Sequence, residues 1–310
     1  MSATALIRRQ TLAALIRERL IALIAVLFAV LVLVSAFLGW SATTTVDAIY
    51  ASAVNWFAAQ GQPAPPNPVT QTTALALLRN LTIYISLIGA FSALLIGHRS
   101  IEAERRAGVL PLIGTRPLDR LDYACGKIAA LAIAVGGLAA LAAAIGAATL
   151  LILPSVQVSG AEWARLAAFF GLGWLYMMTF GLVAQAATAR AQSETSGLLA
   201  PVVLWLIVTF VLPALTGNIL PTAAINPVSA LAAPPQSVAF DWTSALIGPL
   251  SLGEAFQYMS ADLLGYLPAG LAPRGAVPPL VVLLVAGALA FGAALRAGLT
   301  LDMTKGGPDA

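Results

Sequence analysis

His98-Arg99-Ser100-Ile101-Glu102-Ala103-Glu104-Arg105-Arg106-Ala107-Gly108-Val109-Leu110-Pro111-Leu112-Ile113-Gly114-Thr115-Arg116-Pro117-Leu118-Asp119-Arg120 is a charged run wedged between two long apolar stretches. Of the 310 residues, 60% are hydrophobic and only 9% charged, whereas a soluble domain carries about 25% charged residues. Mean hydropathy is +0.91. So few polar groups cannot cover a surface in water, so lipid must be the main solvent, and the charged run is the part built to meet something soluble. The 16 basic and 13 acidic residues leave a net charge of +3. That excess is too small to argue for nucleic acid as a partner.

Outward from this run, six stretches approach the roughly 20 apolar residues that a spanning helix needs. They are Leu20–Trp40, Ala74–Gly97, Gly126–Leu153, Leu166–Thr188, Gly197–Leu215 and Pro278–Leu295. The expected fold class is therefore an all-α integral membrane protein, one permease-like domain over 1–310. The first stretch is too long for the apolar part of a signal peptide and lacks a small-residue cleavage site after it, so it is read as retained. Basic residues set the orientation. Arg8, Arg9, Arg17 and Arg19 precede span one, and Arg99, Arg105, Arg106, Arg116, Arg120 and Lys127 lie between spans two and three. Arg190 lies between four and five, and Arg296 and Lys305 follow six. The other side holds Arg79, Arg165 and Arg274. Both termini are expected in the cytoplasm of a bacterium, with the chain passing several times through its inner membrane. Trp40, Trp56, Trp163 and Trp242 suit an aromatic belt at the outer side, while Trp174 and Trp205 fall inside spans as packing residues.

Two outer segments exceed simple turns. Ser41–Thr73 contains Gln62-Pro63-Ala64-Pro65-Pro66-Asn67-Pro68, which should form a stiff bend. The long outer loop 216–277 is proline-rich. Within it Leu252, Ala255, Phe256, Met259, Leu263 and Leu264 recur at helical spacing, with Glu254, Gln257 and Asp262 elsewhere. This predicts a short amphipathic helix along the outer interface, either a gate or a cover for the bundle mouth.

What is missing narrows the function. The span interiors are expected to hold no Asp, Glu, Lys, Arg or His, so the chain has no evident means of using an ion gradient. The phosphate-loop pattern Gly-x-x-x-x-Gly-Lys-Ser/Thr is absent, so no ATP is bound in that manner. One cysteine, Cys125, and one histidine, His98, exclude an internal disulfide and a site built from several Cys or His ligands. Cys125 reads as a small residue at a span start and His98 as an interfacial one. Catalytic groups are missing from the spans, and Asp241, Glu254 and Asp262 alone supply acids in the outer loop. An enzyme is disfavoured. Gly136, Gly137, Ala140, Ala144 and Gly146 on span three, with Gly171, Gly173 and Gly181 on span four, permit close helix approach or ordinary packing. Pro201 and Pro213 predict a kink or an early end of span five.

The charged run itself reads as span two continuing, then turning. Glu102 and Arg106 form an i,i+4 pair, Gly108 permits a turn, and Val109, Leu110, Leu112 and Ile113 present an apolar knob. Pro117 opens a new element that Thr115 or Asp119 could cap. Such a hairpin suits docking into a groove on a soluble protein; the alternative is a solvated loop whose arginines only set topology.

The pattern Glu-x-x-x-Gly-x-Leu-x-Leu-x-x-Thr-x-Pro-x-x-Arg-x-x-x-x-x-Gly-Lys, carried by Glu104, Gly108, Leu110, Leu112, Thr115, Pro117, Arg120, Gly126 and Lys127, resembles the first cytoplasmic loop of the second-type (ABC-2-like) ABC exporter permeases. The six-span layout resembles that family too, and the branch linked to multicopper-enzyme maturation is similar. The resemblance implies an N-terminal interfacial elbow helix at Thr4–Arg19 and a cytoplasmic coupling helix within 98–125. The ATPase-docking residues would be Glu102, Glu104, Arg105, Arg106, Gly108, Leu110, Leu112, Thr115, Arg116, Pro117 and Arg120. It implies two copies of a cytoplasmic ABC ATPase, with ATP and Mg held there and no cofactor in this chain. A second permease copy, as a homodimer, and membrane lipid complete the expected partners. Pro111 departs from the family pattern and should end or bend the coupling helix. Without charges in the bundle, the cargo of an exporter built this way should be apolar or amphipathic. The alternative function is a mechanical relay that passes ATPase motion to a periplasmic protein and moves no cargo.

Overall fold

A computed structural model describes residues 2–64, 73–115, 118–152, 158–213, 242, 246–248, 251–267 and 277–303. Regular structure there is entirely helical. Among the described residues, six helices are long and apolar enough to cross a membrane, and the chain is an all-α integral membrane protein.

Helix α1 spans Ala3–Arg17, opened by the Ser2 hydroxyl, which accepts from the Ala5 N–H. Its buried stripe is Ile7, Thr11 and Leu15, at i, i+4 and i+8, and Arg8, Arg9 and Arg17 stay exposed. The stripe is three residues wide and includes a threonine, so hydrophobicity alone hides it. Glu18, in extended conformation, is the single residue separating α1 from α2, Arg19–Ala59. Helix α2 is 41 residues long, about 60 Å at the α-helical rise and roughly twice the hydrocarbon thickness of a bilayer. The expected end at Trp40 is overrun because Ser41–Ala59 contains neither proline nor glycine and is rich in alanine. In the expected bend Gln62–Pro68, positions 65–68 lie outside the described residues.

Helix α3, Ala74–Arg106, begins as a 3₁₀ turn at Ala74–Leu78 and carries a π turn at Ile85–Gly89. It passes the expected limit at Gly97 because nothing breaks it before Gly108, whose φ of +64° takes the chain into the left-handed region. Helix α4 is the short Leu110–Gly114. Pro111 lies in its first turn, where its missing N–H goes unused, so this proline starts the helix rather than ending it. Helix α5 runs Arg120–Ile152 and α6 runs Gly160–Arg190. A reciprocal Ser159–Glu162 capping box opens α6. Helix α7, Glu194–Val211, contains Pro201 and ends in a π turn at Ile207–Val211. Helix α8 is Leu252–Leu264 and α9 is Pro279–Leu299. The rest of the 216–277 segment lies outside the described residues except 242, 246–248, 251, 265–267 and 277.

The hub is α6, which packs on α3, α5, α7, α8 and α9. Its tightest crossing is with α3, where a side chain at Gly97 would run into the Gly181 backbone. Backbone-to-backbone contact of this kind lets two helices approach more closely than any side chain allows. Against the middle of α6, α8 departs from the expected surface position. Phe256 is fully buried and stacks on Tyr176 at 4.5 Å, and Gln257 and Ser260, read as solvent-facing or silent, are buried as well. Small residues at Gly253, Ala255 and Ala261 let α8 sink into the bundle. Thr73 ties its end down by donating to the Leu264 carbonyl at 2.7 Å.

Candidate functional site

The charged run of the sequence forms the end of α3, the whole of α4 and the start of α5. Lys127 is two turns inside α5 and 2% exposed, and Glu102, still on α3, is equally buried. The expectation of charge-free span interiors is therefore corrected at this end. Burial of a charge is tolerated only with a partner, and partners are present. Lys127 Nζ lies 2.6 Å from Glu104 Oε1 and donates to the Ser100 carbonyl at 2.7 Å. The Tyr123 hydroxyl donates to Glu104 Oε2 at 2.7 Å. Gln185 Nε2, from α6, donates to Ser100 Oγ at 2.9 Å and to the Lys127 carbonyl at 3.2 Å.

A second set of contacts extends the network. Arg105 lies 3.4 Å from Glu102 and donates to the Thr188 carbonyl at 3.2 Å. Arg106 sits 3.9 Å from Glu102, the i,i+4 pair expected from sequence, and its Nε donates to Glu194 Oε2 at 3.0 Å. His98 is 1% exposed, not interfacial, with Nδ1 2.9 Å from Thr188 Oγ1. The hydroxyl of Thr4 on α1 bonds Asp122 on α5, and Arg99 Nε is 3.8 Å from Glu18 Oε2. Together these polar contacts tie α1, α3, α5, α6 and the first turn of α7 to one another.

On this base sits α4. Leu110 is fully buried against Ile7, Tyr123 and Leu301, while Leu112 is 65% exposed. Asp119 Oδ1 accepts from the Leu121 N–H at 3.0 Å and so caps the start of α5. Thr115 Oγ1 turns back to the Leu112 carbonyl at 2.9 Å, and Arg120 reaches the Leu299 carbonyl at 3.0 Å. The candidate residues accordingly fall into two groups. Arg106, Gly108, Leu112, Thr115 and Arg120 are exposed. Glu102 and Leu110 are buried, and Glu104 and Arg105 are turned inward on partners. Arg116 and Pro117 lie outside the described residues. Sequence reasoning passed over Ser100, Tyr123, Gln185 and Thr188 as bonding partners. Their signal was present as polar side chains at the same end of neighbouring spans.

The opposite half of the bundle is built otherwise. Tyr176 is fully buried beside the Ser86 and Thr209 hydroxyls. Its own hydroxyl meets neither in hydrogen-bond geometry, and Thr209 Oγ1, Gln257 Oε1 and Ser260 Oγ are likewise buried without a partner among the described residues. Ser86 and Thr209 stand on the two π turns. Among the described residues no group of three or more His, Cys, Asp or Glu is placed to hold a metal ion.

Two comparisons with known proteins bear on this arrangement. A family model described as ABC-2 family transporter protein matches residues 7–295. No curated protein matches the chain.

Proposed function

Because the chain belongs to the ABC-2 family of transporter proteins, whose members are membrane permease subunits paired with an ATP-binding subunit, we propose that it is driven by a cytoplasmic ATPase docking on α4. The observation that carries this reading is the pairing of an exposed Leu112 with a buried Leu110 on one short helix. Leu110 anchors α4 to the ends of α1, α5 and α9, and Leu112 offers an apolar contact, with Arg106, Thr115 and Arg120 exposed around it. Force on α4 would pass into the network of Glu104, Lys127 and Tyr123 and from there into α3, α5 and α6. Arg116 and Pro117 belong to the same proposed contact. ATP and Mg would be held, and ATP hydrolysed, in the partner, with two ATPase copies serving two permease copies in the inner membrane and both termini in the cytoplasm.

A homodimer seam along α7 fits its packing. Only 17% of its most apolar stretch is buried within the chain, against 67% for α3 and α6. Cargo would be apolar or amphipathic, since the buried charges Glu102 and Lys127 are already paired, and it would be exported, as the family resemblance implies. The test is purification in mild detergent of the wild type and of a Leu112→Asp variant. A stoichiometric ATPase should come with the wild type and be lost from the variant, with thermal stability unchanged. Retention of the ATPase by the variant would move the docking surface elsewhere.

The far half of α2 supports a second reading. Ser41–Ala59 continues well beyond one bilayer crossing, with Ile49 and Trp56 exposed. A projecting rod of this kind suits a mechanical relay to a periplasmic protein. Transport of labelled lipid into or out of reconstituted vesicles separates the two, because a relay moves none.

A further inference from the structure

Helix α4 is five residues long, below the roughly 12–15 residues at which a helix becomes stable alone in water. Its pose therefore comes from what packs beneath it. Two supports are long helices, through Ile7 of α1 and Tyr123 of α5. The third comes from the chain just past α9. Helix α9 ends at Leu299, and the next residues turn under α4. Leu301 is 2% exposed and joins one cluster with Ile7, Leu110 and Tyr123, and Met303 packs against that cluster. At the other end of α4, a side chain on Gly114 would place its Cβ 3.0 Å from the Met303 Cβ, so the missing side chain is what lets Met303 come close. Arg120, at the start of α5, donates to the Leu299 carbonyl at 3.0 Å and ties down the base of this segment. Both ends of α4, Leu110 and Gly114, thus rest on residues 301–303.

We propose that residues 300–303 are a strap that holds α4 in the pose an ATPase recognises, with Leu301 and Met303 as positioning residues of the docking surface. The proposal rests on docking at α4 and adds a second route for force. The ion pairs carry a push on α4 into α3, α5 and α6. The strap carries it by apolar contact into α9, which takes no part in those pairs. Helix α9 packs in turn on α5, α6 and α8. Its approach to α5 is close, since a Cβ on Gly298 would lie 2.7 Å from the Ala124 Cβ. Movement of α4 would therefore reach α8, in the opposite half of the bundle, through a single helix. Local opening of a short terminal segment need not involve the core, so the strap can be loosened by substitution while the bundle stays folded.

The experiment purifies the full chain in mild detergent with the ATPase that accompanies it and compares four forms. They are the wild type, Met303→Ala, Leu112→Asp, and the pair Gly114→Cys with Met303→Cys in a Cys125→Ser background. The cysteine pair suits a disulfide after a shift of about half an ångström, since bridged Cβ atoms lie about 3.5–4.5 Å apart. Two quantities are read, the hydrogen exchange of the Ile113 and Thr115 amides, which close α4 on the Val109 and Pro111 carbonyls, and the ATPase recovered per permease. Met303→Ala and the reduced cysteine pair should speed that exchange about tenfold, leave α6 unchanged, and lower ATPase recovery about fivefold. Oxidation of the pair should restore both, a rescue that general destabilisation would not show. Unchanged exchange, or faster exchange with full ATPase recovery, overturns the strap; if Leu112→Asp still loses the ATPase, docking at α4 stands without it. Retention of the ATPase by Leu112→Asp, or a wild type that brings none, removes the docking reading and the strap together.

Discussion

The two halves of this bundle treat buried polarity in opposite ways. At the arginine-rich end, Glu102, Lys127, Tyr123 and Gln185 are buried and each meets a partner; the exceptions are the Thr11 hydroxyl and His98 Nε2. In the opposite half, Tyr176, Thr209, Gln257 and Ser260 are as deeply buried, and the polar atoms named above lack partners among the described residues, although the buried Thr82 there accepts from Tyr266 at 3.1 Å. A satisfied network rigidifies, because breaking any member leaves a charge or dipole stranded in a low dielectric. Unsatisfied hydroxyls beside two π turns have the reverse effect, since rearrangement can only improve their bonding. The difference describes a lever with a stiff grip and a pliable far end. Under the proposed docking on α4, force would enter at the stiff end and be taken up at the pliable one.

The largest effect expected is at Lys127. Lys127→Met strands Glu104 beside Tyr123 with its countercharge gone, and removal of one partner from a buried pair destabilises by about 3–5 kcal/mol. The double variant Lys127→Met with Glu104→Gln removes both charges and should recover most of that loss. Thermal unfolding in detergent reads both. If the single variant unfolds within a degree of the wild type, the grip is not stiff and the comparison between the halves fails.

The next effect sharpens where the two halves meet. Gly97 on α3 and Gly181 on α6 touch backbone to backbone, so even Gly97→Ala must push the helices apart. Overpacking of this kind destabilises by about 1–3 kcal/mol, and Gly97→Val should do worse. The control is Gly137→Ala, where a methyl meets nothing within 4 Å and the midpoint should hold or rise. Equal behaviour of Gly97→Ala and Gly137→Ala would show that the crossing is not a fixed fulcrum.

The sequence makes the fold class legible because apolar length and arginine asymmetry are coarse signals that packing cannot disguise. Of the candidate site, the exposed residues Leu112, Thr115 and Arg120 were readable as a loop between two spans. The buried network was not. Lys127 reads as a cation at the very edge of span three, Gly126–Leu153, where water is expected, whereas the helix starts earlier, at Arg120, and carries it inward. Leu110 and Leu112 look alike in sequence, and only the contact with Ile7, Tyr123 and Leu301 tells anchor from contact residue. The burial of Gln257 and Ser260 depends on how deeply α8 sinks, which is set by long-range packing on Tyr176. Local periodicity places glutamine outside by default.

The smallest effect is also the most discriminating, because one substitution can be made in both halves. Tyr123 and Tyr176 are each 1% exposed or less, and each would lose only a hydroxyl on change to phenylalanine. The Tyr123 hydroxyl donates to a carboxylate at 2.7 Å, and a hydrogen bond to a charged group contributes about 1.5–3 kcal/mol. Tyr123→Phe should therefore lower the thermal midpoint and loosen the Glu104–Lys127 pair. The Tyr176 hydroxyl lies beside the Ser86 and Thr209 hydroxyls and, among the described residues, meets neither in good hydrogen-bond geometry, so it has little to lose. Phenylalanine keeps the 4.5 Å stack on Phe256 and removes a dipole that burial penalises, so Tyr176→Phe should be neutral or stabilising by up to about 1 kcal/mol. A pliable far end gains nothing functional from that stability. If rearrangement of the π turns exposes the Tyr176 hydroxyl to a partner during transport, Tyr176→Phe should slow substrate-stimulated ATP hydrolysis in the reconstituted complex while raising the midpoint. A variant that loses stability at Tyr176 as it does at Tyr123 would mean that the far half is as well bonded as the near one, and the lever would have two stiff ends.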